Sequence, residues 1–224
     1  GTSFRVEAKG WIDVGELFGF DKQHAFSAGA WLRLKPQGGA PFGKMEVGPS
    51  HRGWDVEFHG TKANVHLIHQ WPEDAIHVQA EKDLPQNEFL HFAFTYDGSG
   101  KAGGVKMFVN GQEIKTKVLK DKLTGSIKTS APFAIGRRGG GDSPYTGRVD
   151  DLRLYDRALN VQELAQLGGG AALAIAAIPV DQRTPQQKEE IKKFYRGNIA
   201  TEYSAAQKKV EGLKKELAEF EKKI

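Results

Sequence analysis

The chain has 224 residues, 39% hydrophobic and 27% charged, with 32 Lys+Arg against 28 Asp+Glu. That balance excludes a disordered polyelectrolyte, the net charge of +4 is too weak for a nucleic-acid footprint, and the longest nearly apolar run, 171–180, is about half a bilayer span. Zero cysteines exclude disulfides, thiolate metal sites, cysteine nucleophiles and covalent c-type haem attachment within this chain. The opening Gly1-Thr2-Ser3 has no initiating Met and no leader pattern, so the chain is expected to be a piece of something larger.

From Phe4 to about Leu154 the sequence runs in short alternating segments punctuated by Gly, Asp, Asn and Pro. Phe26-Ser-Ala-Gly-Ala-Trp-Leu-Arg-Leu places Phe26, Ala28, Ala30, Leu32 and Leu34 on one face, with Trp31 out of phase. Segment 64–69 alternates less cleanly, 75–80 alternates well, and 90–98 reads as a strand entering a turn. In 105–114, Asn110-Gly111 suits a type I′ hairpin, whose two central residues both need positive φ. Phe133-Ala-Ile-Gly and Val149-Asp-Asp-Leu-Arg-Leu-Tyr add two more strands. About nine to twelve short strands without strand–helix alternation predict an all-β fold, an antiparallel two-sheet jelly-roll sandwich.

Asn160-Val-Gln-Glu163 is a near capping box that starts a helix, Leu164 and Leu167 face the sheet, and Gly168-Gly-Gly stops it. The chain therefore divides into a sandwich over 4–167 and a helical linker over 168–224. In the linker, Thr184-Pro185-Gln-Gln187 caps a first helix and Gly197-Asn198 breaks it. A second helix carries Ile199, Tyr203, Ala206, Val210, Leu213, Leu217, Phe220 and Ile224, a heptad seam that predicts a C-terminal α-helical hairpin or coiled-coil contact with a neighbouring domain.

The candidate site residues come from the loops. Sugar rings offer apolar C–H faces to exposed aromatics, and their hydroxyls bond to Arg, His, Asp and Asn. Trp71, flanked by His69 and Pro72-Glu-Asp74, reads as a stacking residue or as a cap on the core; Trp54, after Ser50-His-Arg52-Gly53, reads the same way. The glycine-rich segment 136–142 carries Arg137 and Arg138, either addressing a ligand or simply exposed. Trp71, His69, Trp54, Arg52, Arg137, Arg138 and Tyr145 make the candidate ligand set. Asp55, Glu57 and His59 share one strand face and resemble part of the carboxylate strand of sandwich glycosidases. Gly53 stands where the first carboxylate belongs and His59 where the last does, so a solvated strand face is expected. The seven histidines show no metal-binding spacing and are expected to be exposed or hydrogen-bonded. On alternation, Asp150 shares a face with Leu152 and Leu154, and a carboxylate buried there needs Ca²⁺, an arginine or backbone N–H groups.

Phe26-Ser-Ala-Gly-Ala-Trp-Leu-Arg, Phe92-Ala-Phe-Thr-Tyr-Asp-Gly, Met107-Phe-Val-Asn-Gly, Ala134-Ile-Gly and Gly147-Arg-Val-Asp-Asp-Leu-Arg-Leu-Tyr resemble, in order, the strands of laminin-G-like, concanavalin A-like jelly rolls. Segments 67–78 and 97–106, with Arg183-Thr-Pro-Gln-Gln and Phe194-Tyr195 in the tail, resemble the insert of large planctomycete cytochrome-c-type multidomain proteins. The resemblance implies a non-catalytic, lectin-like module in an exported protein, periplasmic or at the cell surface, with a glycan as partner. A spacer that positions neighbouring domains is the alternative. It also implies structural Ca²⁺, with Asp150 and Asp151 matching the family's acidic pair.

Overall fold

The computed structural model describes residues 4–6, 10–139, 141–169, 172, 175–176, 178–198, 209–210 and 212–214. The alternating segment at 26–34 forms β3 (Phe26–Arg33), whose Phe26, Ala28, Ala30 and Leu32 are all buried. It pairs along its full length with β8 (Phe89–Tyr96), from Phe26 opposite Tyr96 to Arg33 opposite Phe89. β1 (Phe4–Val6) and β13 (Gly147–Tyr155) extend this sheet on one side, β9 (Val105–Val109) and β10 (Gln112–Glu113) on the other, in the order β1-β13-β3-β8-β9-β10. The β9–β10 turn has φ of 50° at Asn110 and 77° at Gly111, as a type I′ turn requires.

A seven-stranded sheet packs against it. Its members are β2 (Ile12–Asp13), β4 (Gly39–Met45), β5 (Gly53–His59), β6 (Lys62–Gln70), β7 (Asp74–Ala80), β11 (Thr116–Asp121) and β12 (Phe133–Ile135), in the order β11-β7-β6-β5-β4-β12-β2. Every strand pair in both sheets is antiparallel. The core between them is aromatic: Trp54 lies within 6.2 Å, centroid to centroid, of Phe20, Phe26, Phe94 and Phe133. The predicted two-sheet sandwich is thus the observed fold.

Two placements differ from the sequence reading. Trp54 belongs to β5, not to a loop, and is 1% exposed, so its ring has no face open to a ligand. Asp150 is not buried, because β13 is irregular between Asp150 and Arg153, with Asp151 at φ 46°. The extra residue puts Val149, Leu152 and Leu154 against the core and leaves Asp150 opposite the half-buried Trp31.

On the outer face of the six-stranded sheet α1 (Val161–Gly168) packs against β8 and β10, and α2 (Pro185–Asn198) packs on α1, with a cavity between α2 and the sheet. The capping box of α1 is complete: Asn160 Oδ1 accepts from the Glu163 N–H and Glu163 Oε2 from the Asn160 N–H. Leu164 is buried with Ala93, Phe108 and Leu159. At α2 the Thr184 hydroxyl oxygen accepts from the Gln187 N–H, while Thr184 N–H donates to Gln187 Oε1. The helix is described to Asn198, at the expected break, and residues 199–208 lie outside the described residues. Of the heptad seam only Val210 and Leu213 are described, both helical and exposed; Ile199, Tyr203, Ala206, Leu217, Phe220 and Ile224 lie outside the described residues. No helix among the described residues is long and apolar enough to cross a membrane. Asn160→Ala should lower stability by about 1 kcal/mol, read as a lower urea midpoint at unchanged slope.

Candidate functional site

Alternation on β5 sends Trp54, Val56 and Phe58 into the core and therefore turns Asp55, Glu57 and His59 to the opposite face. Strand register then aligns this face in rows. Gly43, Asp55, His66 and His77 stand side by side across β4–β5–β6–β7; Glu57, Asn64 and Gln79 form the next row. On the other side Met45, Gly53, Ile68 and Ala75 form an apolar row, against which Trp71 packs. Gly43 makes room for this arrangement: a Cβ there would sit 2.5 Å from the Asp55 Cβ. The segment 136–144, pinned by the bridge between Arg138 and Asp142, brings Arg138 and Ser143 over β5.

The result is a cavity of about 330 Å³ walled by Glu57, His66, His77, Arg138 and Trp71 and completed by His51, His59, Ile68, Asp142 and Ser143. Beneath it Asp55 is fully buried. Arg138 Nε donates to Asp55 Oδ2 at 2.8 Å and Arg138 Nη2 to Glu57 Oε2 at 2.8 Å. The other Asp55 oxygen meets His66 Nδ1 at 2.8 Å, and Ser143 donates to Glu57 Oε1. Burial pushes the Asp55 carboxyl up, but Arg138 and His66 outweigh it and hold the group well below the usual carboxylate range. Burial pulls Arg138 down, and Asp55 and Glu57 more than reverse that.

The network sets which nitrogen of each imidazole donates. Asp55 is ionised, so His66 donates its Nδ1–H to it. Asn64 Nδ2 donates to the Glu57 and Lys62 carbonyls, so Asn64 Oδ1 faces Gln79 and His77. His77 therefore donates Nε2–H to it at 2.8 Å and keeps its lone pair on Nδ1. Burial and the neighbouring His66 lower the His77 pKa to about 3, so the ring is neutral. The two rings lie 4.2 Å apart, and the Trp71 ring meets His66 edge-on at 5.7 Å and His77 at 5.8 Å. Lys120 Nζ stands 5.1 Å over the Trp71 ring.

Of the candidate ligand residues, the cavity brings together Trp71 and Arg138. His69 is turned to the neighbouring loop, where its Nδ1–H donates to the Ser126 carbonyl at 2.7 Å and its ring lies against Gly125. Arg52 donates to the His69 carbonyl at 3.3 Å, and Arg137 lies over the Trp11 ring at 5.8 Å. Tyr145 is buried in the core, and that burial raises its hydroxyl pKa. The face of Asp55 and Glu57 is the floor of a pocket, where a solvated surface was expected. His66, His77 and Ser143 were missed, and Glu57 was set aside with its strand face. The two-residue turn Gly60-Thr61 was the available signal, since it sets Asp55 opposite His66.

Asp150 and Asp151 do not fit a buried Ca²⁺. Asp150 Oδ1 accepts the Asp151 N–H, and Asp151 pairs with Arg153 at an exposed bulge. Asp55, Glu57 and His66 bring ligand atoms within 4.8 Å of one another, a set that could hold a metal ion. Arg138 already occupies the cationic position between the two carboxylates, so an ion would have to displace it.

Arg138→Met strands Asp55 and should cost about 3–5 kcal/mol at neutral pH. Because Asp55 is held below its reference value of 3.8, the pair stabilises the fold above that value, and its contribution fades as acid protonates the chain. Urea titrations should therefore show the deficit shrinking at about pH 3, and Asp55→Asn combined with Arg138→Met should recover part of it at neutral pH.

A family model described as the concanavalin A-like lectin/glucanases superfamily matches residues 7–165. No curated protein matches the chain. Among solved structures, the binding domain of Paraclostridial Mosquitocidal Protein 1 is similar at a TM-score of 0.55 and 16% identity, covering 76% of this chain and 44% of its own. A proposed carbohydrate binding protein from Bacteroides ovatus gives 0.55 and 18%, covering 73% and 46%. The Ruminococcus gnavus IT-sialidase CBM40 gives 0.55 and 15%, covering 75% and 97%. The chain spans less than half the length of the first two. At these identities the likeness shows the fold, and with the family model matching most of its length the chain belongs to the concanavalin A-like lectin/glucanases superfamily.

Proposed function

We propose that the chain is a non-catalytic, lectin-like module that holds a glycan in the cavity on the outer face of the seven-stranded sheet. The observation that carries this reading is the pairing of an aromatic and apolar wall, Trp71 with Ile68, with a fixed polar floor of Glu57, His66, His77 and Arg138. A sugar ring needs both: a surface for its C–H face and preset partners for its hydroxyls. The carbohydrate-binding names of two structural neighbours support it. Asp55 supports binding over hydrolysis, since a carboxyl held ionised beneath Arg138 has no proton to give a leaving group. The setting in an exported multidomain protein rests on the sequence resemblance alone.

A spacer role is favoured by one observation. α2 packs on α1, with Phe194 against Gly169, on the side of the six-stranded sheet, away from the cavity. On this reading the helices position a neighbouring domain and the sandwich binds no glycan.

Calorimetry of the chain against a panel of polysaccharides should give affinities of about micromolar or weaker. Trp71→Ala should weaken them about tenfold, or ~1.4 kcal/mol. Unchanged heats in that variant would remove Trp71 from the site, and no binding to any glycan would leave the spacer role standing.

A further inference from the structure

Trp31 is an aromatic residue of β3 that the core does not use. Phe26, Ala28, Ala30 and Leu32 point inward, so alternation turns Trp31 to the outer face of the six-stranded sheet, where it is half-buried. Phe89 stands diagonally from it on β8, since Trp31 pairs with His91, and is 42% exposed. Neither ring joins the cluster of Ala93, Phe108, Leu159 and Leu164 beneath α1. α2 stands over them instead, and the space between is a cavity of about 300 Å³ with Phe194 as its third aromatic wall. A packed helix–sheet contact leaves no void of that size. The wall also carries polar groups. Asn110 Oδ1 accepts the His91 N–H at 2.8 Å, which orients the amide and leaves its Nδ2 group with no acceptor among the described residues. Gln112, Glu190 and Lys193 complete the rim. Among the described residues Glu190 and Lys193 have no ion-pair partner; the pair on α2 joins Lys192 to Glu189 instead.

We propose that this cavity is a second carbohydrate site, separate from the one beside Trp71. The C–H face of a sugar ring lies on Trp31 and Phe89 with Phe194 closing over it, while hydroxyls accept from Asn110 Nδ2 and Lys193 Nζ and donate to Glu190. A purely apolar occupant would leave the Asn110 amide without an acceptor, which is costly. The ligand class rests on the glycan-binding reading; the cavity does not, because it lies on the opposite layer of the sandwich. The module therefore holds two glycan segments, one on each face.

The test is calorimetry of the full chain with soluble gluco-, galacto-, manno- and xylo-oligosaccharides, repeated on Trp71→Ala, Trp31→Ala and Gln112→Ala. At least one oligosaccharide should keep a binding site in Trp71→Ala and lose about tenfold in affinity for it in Trp31→Ala. Gln112 is exposed at a hairpin turn, so Gln112→Ala keeps the fold and should weaken the same site about threefold; it decides the matter if Trp31→Ala does not fold. Glycan binding that Trp71→Ala abolishes and that both other variants leave unchanged overturns the second site while the first stands. Binding that survives Trp71→Ala in full and falls in Trp31→Ala and Gln112→Ala supports the second site and removes the first. Silence from every oligosaccharide overturns the second site together with the glycan reading.

Discussion

A carboxylate with no contact to water constrains the whole of this face. Asp55 is buried because β5 must alternate: its neighbours Trp54 and Val56 are core residues, and the register with β4 and β6 closes over it. Burying an unpaired charge costs several kcal/mol, so partners have to be held in place around it. Arg138 answers from the segment 136–144 and draws Glu57 and Asp142 into the same cluster. His66 answers from the adjacent strand and donates its Nδ1–H to the carboxylate. The shape of the cavity and the orientation of its polar floor descend from that one buried group.

The core was readable because its code is local. Period-two alternation at 26–34, the Asn110-Gly111 turn and the Asn160 capping box each depend on residues within a few positions, and each reappears in the structure. β4 was not picked out, since both of its faces are buried and Gly39, Pro41 and Gly43 interrupt any alternation. β11 was missed for the opposite reason: it is a mostly exposed edge whose Lys117 and Lys120 hide the pattern.

The cavity was only half legible, because it depends on register across three strands and on one long-range loop. Trp71 and Arg138 stood out as loop residues with ligand-binding chemistry, and they do meet. His66 and His77 are eleven positions apart and become neighbours only through the β6–β7 pairing. Trp54 and Asp150 went astray through single-residue errors of phase. Gly53, at φ 135°, already belongs to a strand, and the bulge at Asp150–Asp151 shifts every inference drawn backward from Leu152. In a β-sandwich one inserted residue exchanges inside for outside.

The two sheets present different outer surfaces. Helices cover one of them, and the chain's first described strand, β1, is an edge of that same sheet. β1 and α1 therefore lie on the layer opposite the one that carries the cavity beside Trp71, whose outer face they leave uncovered.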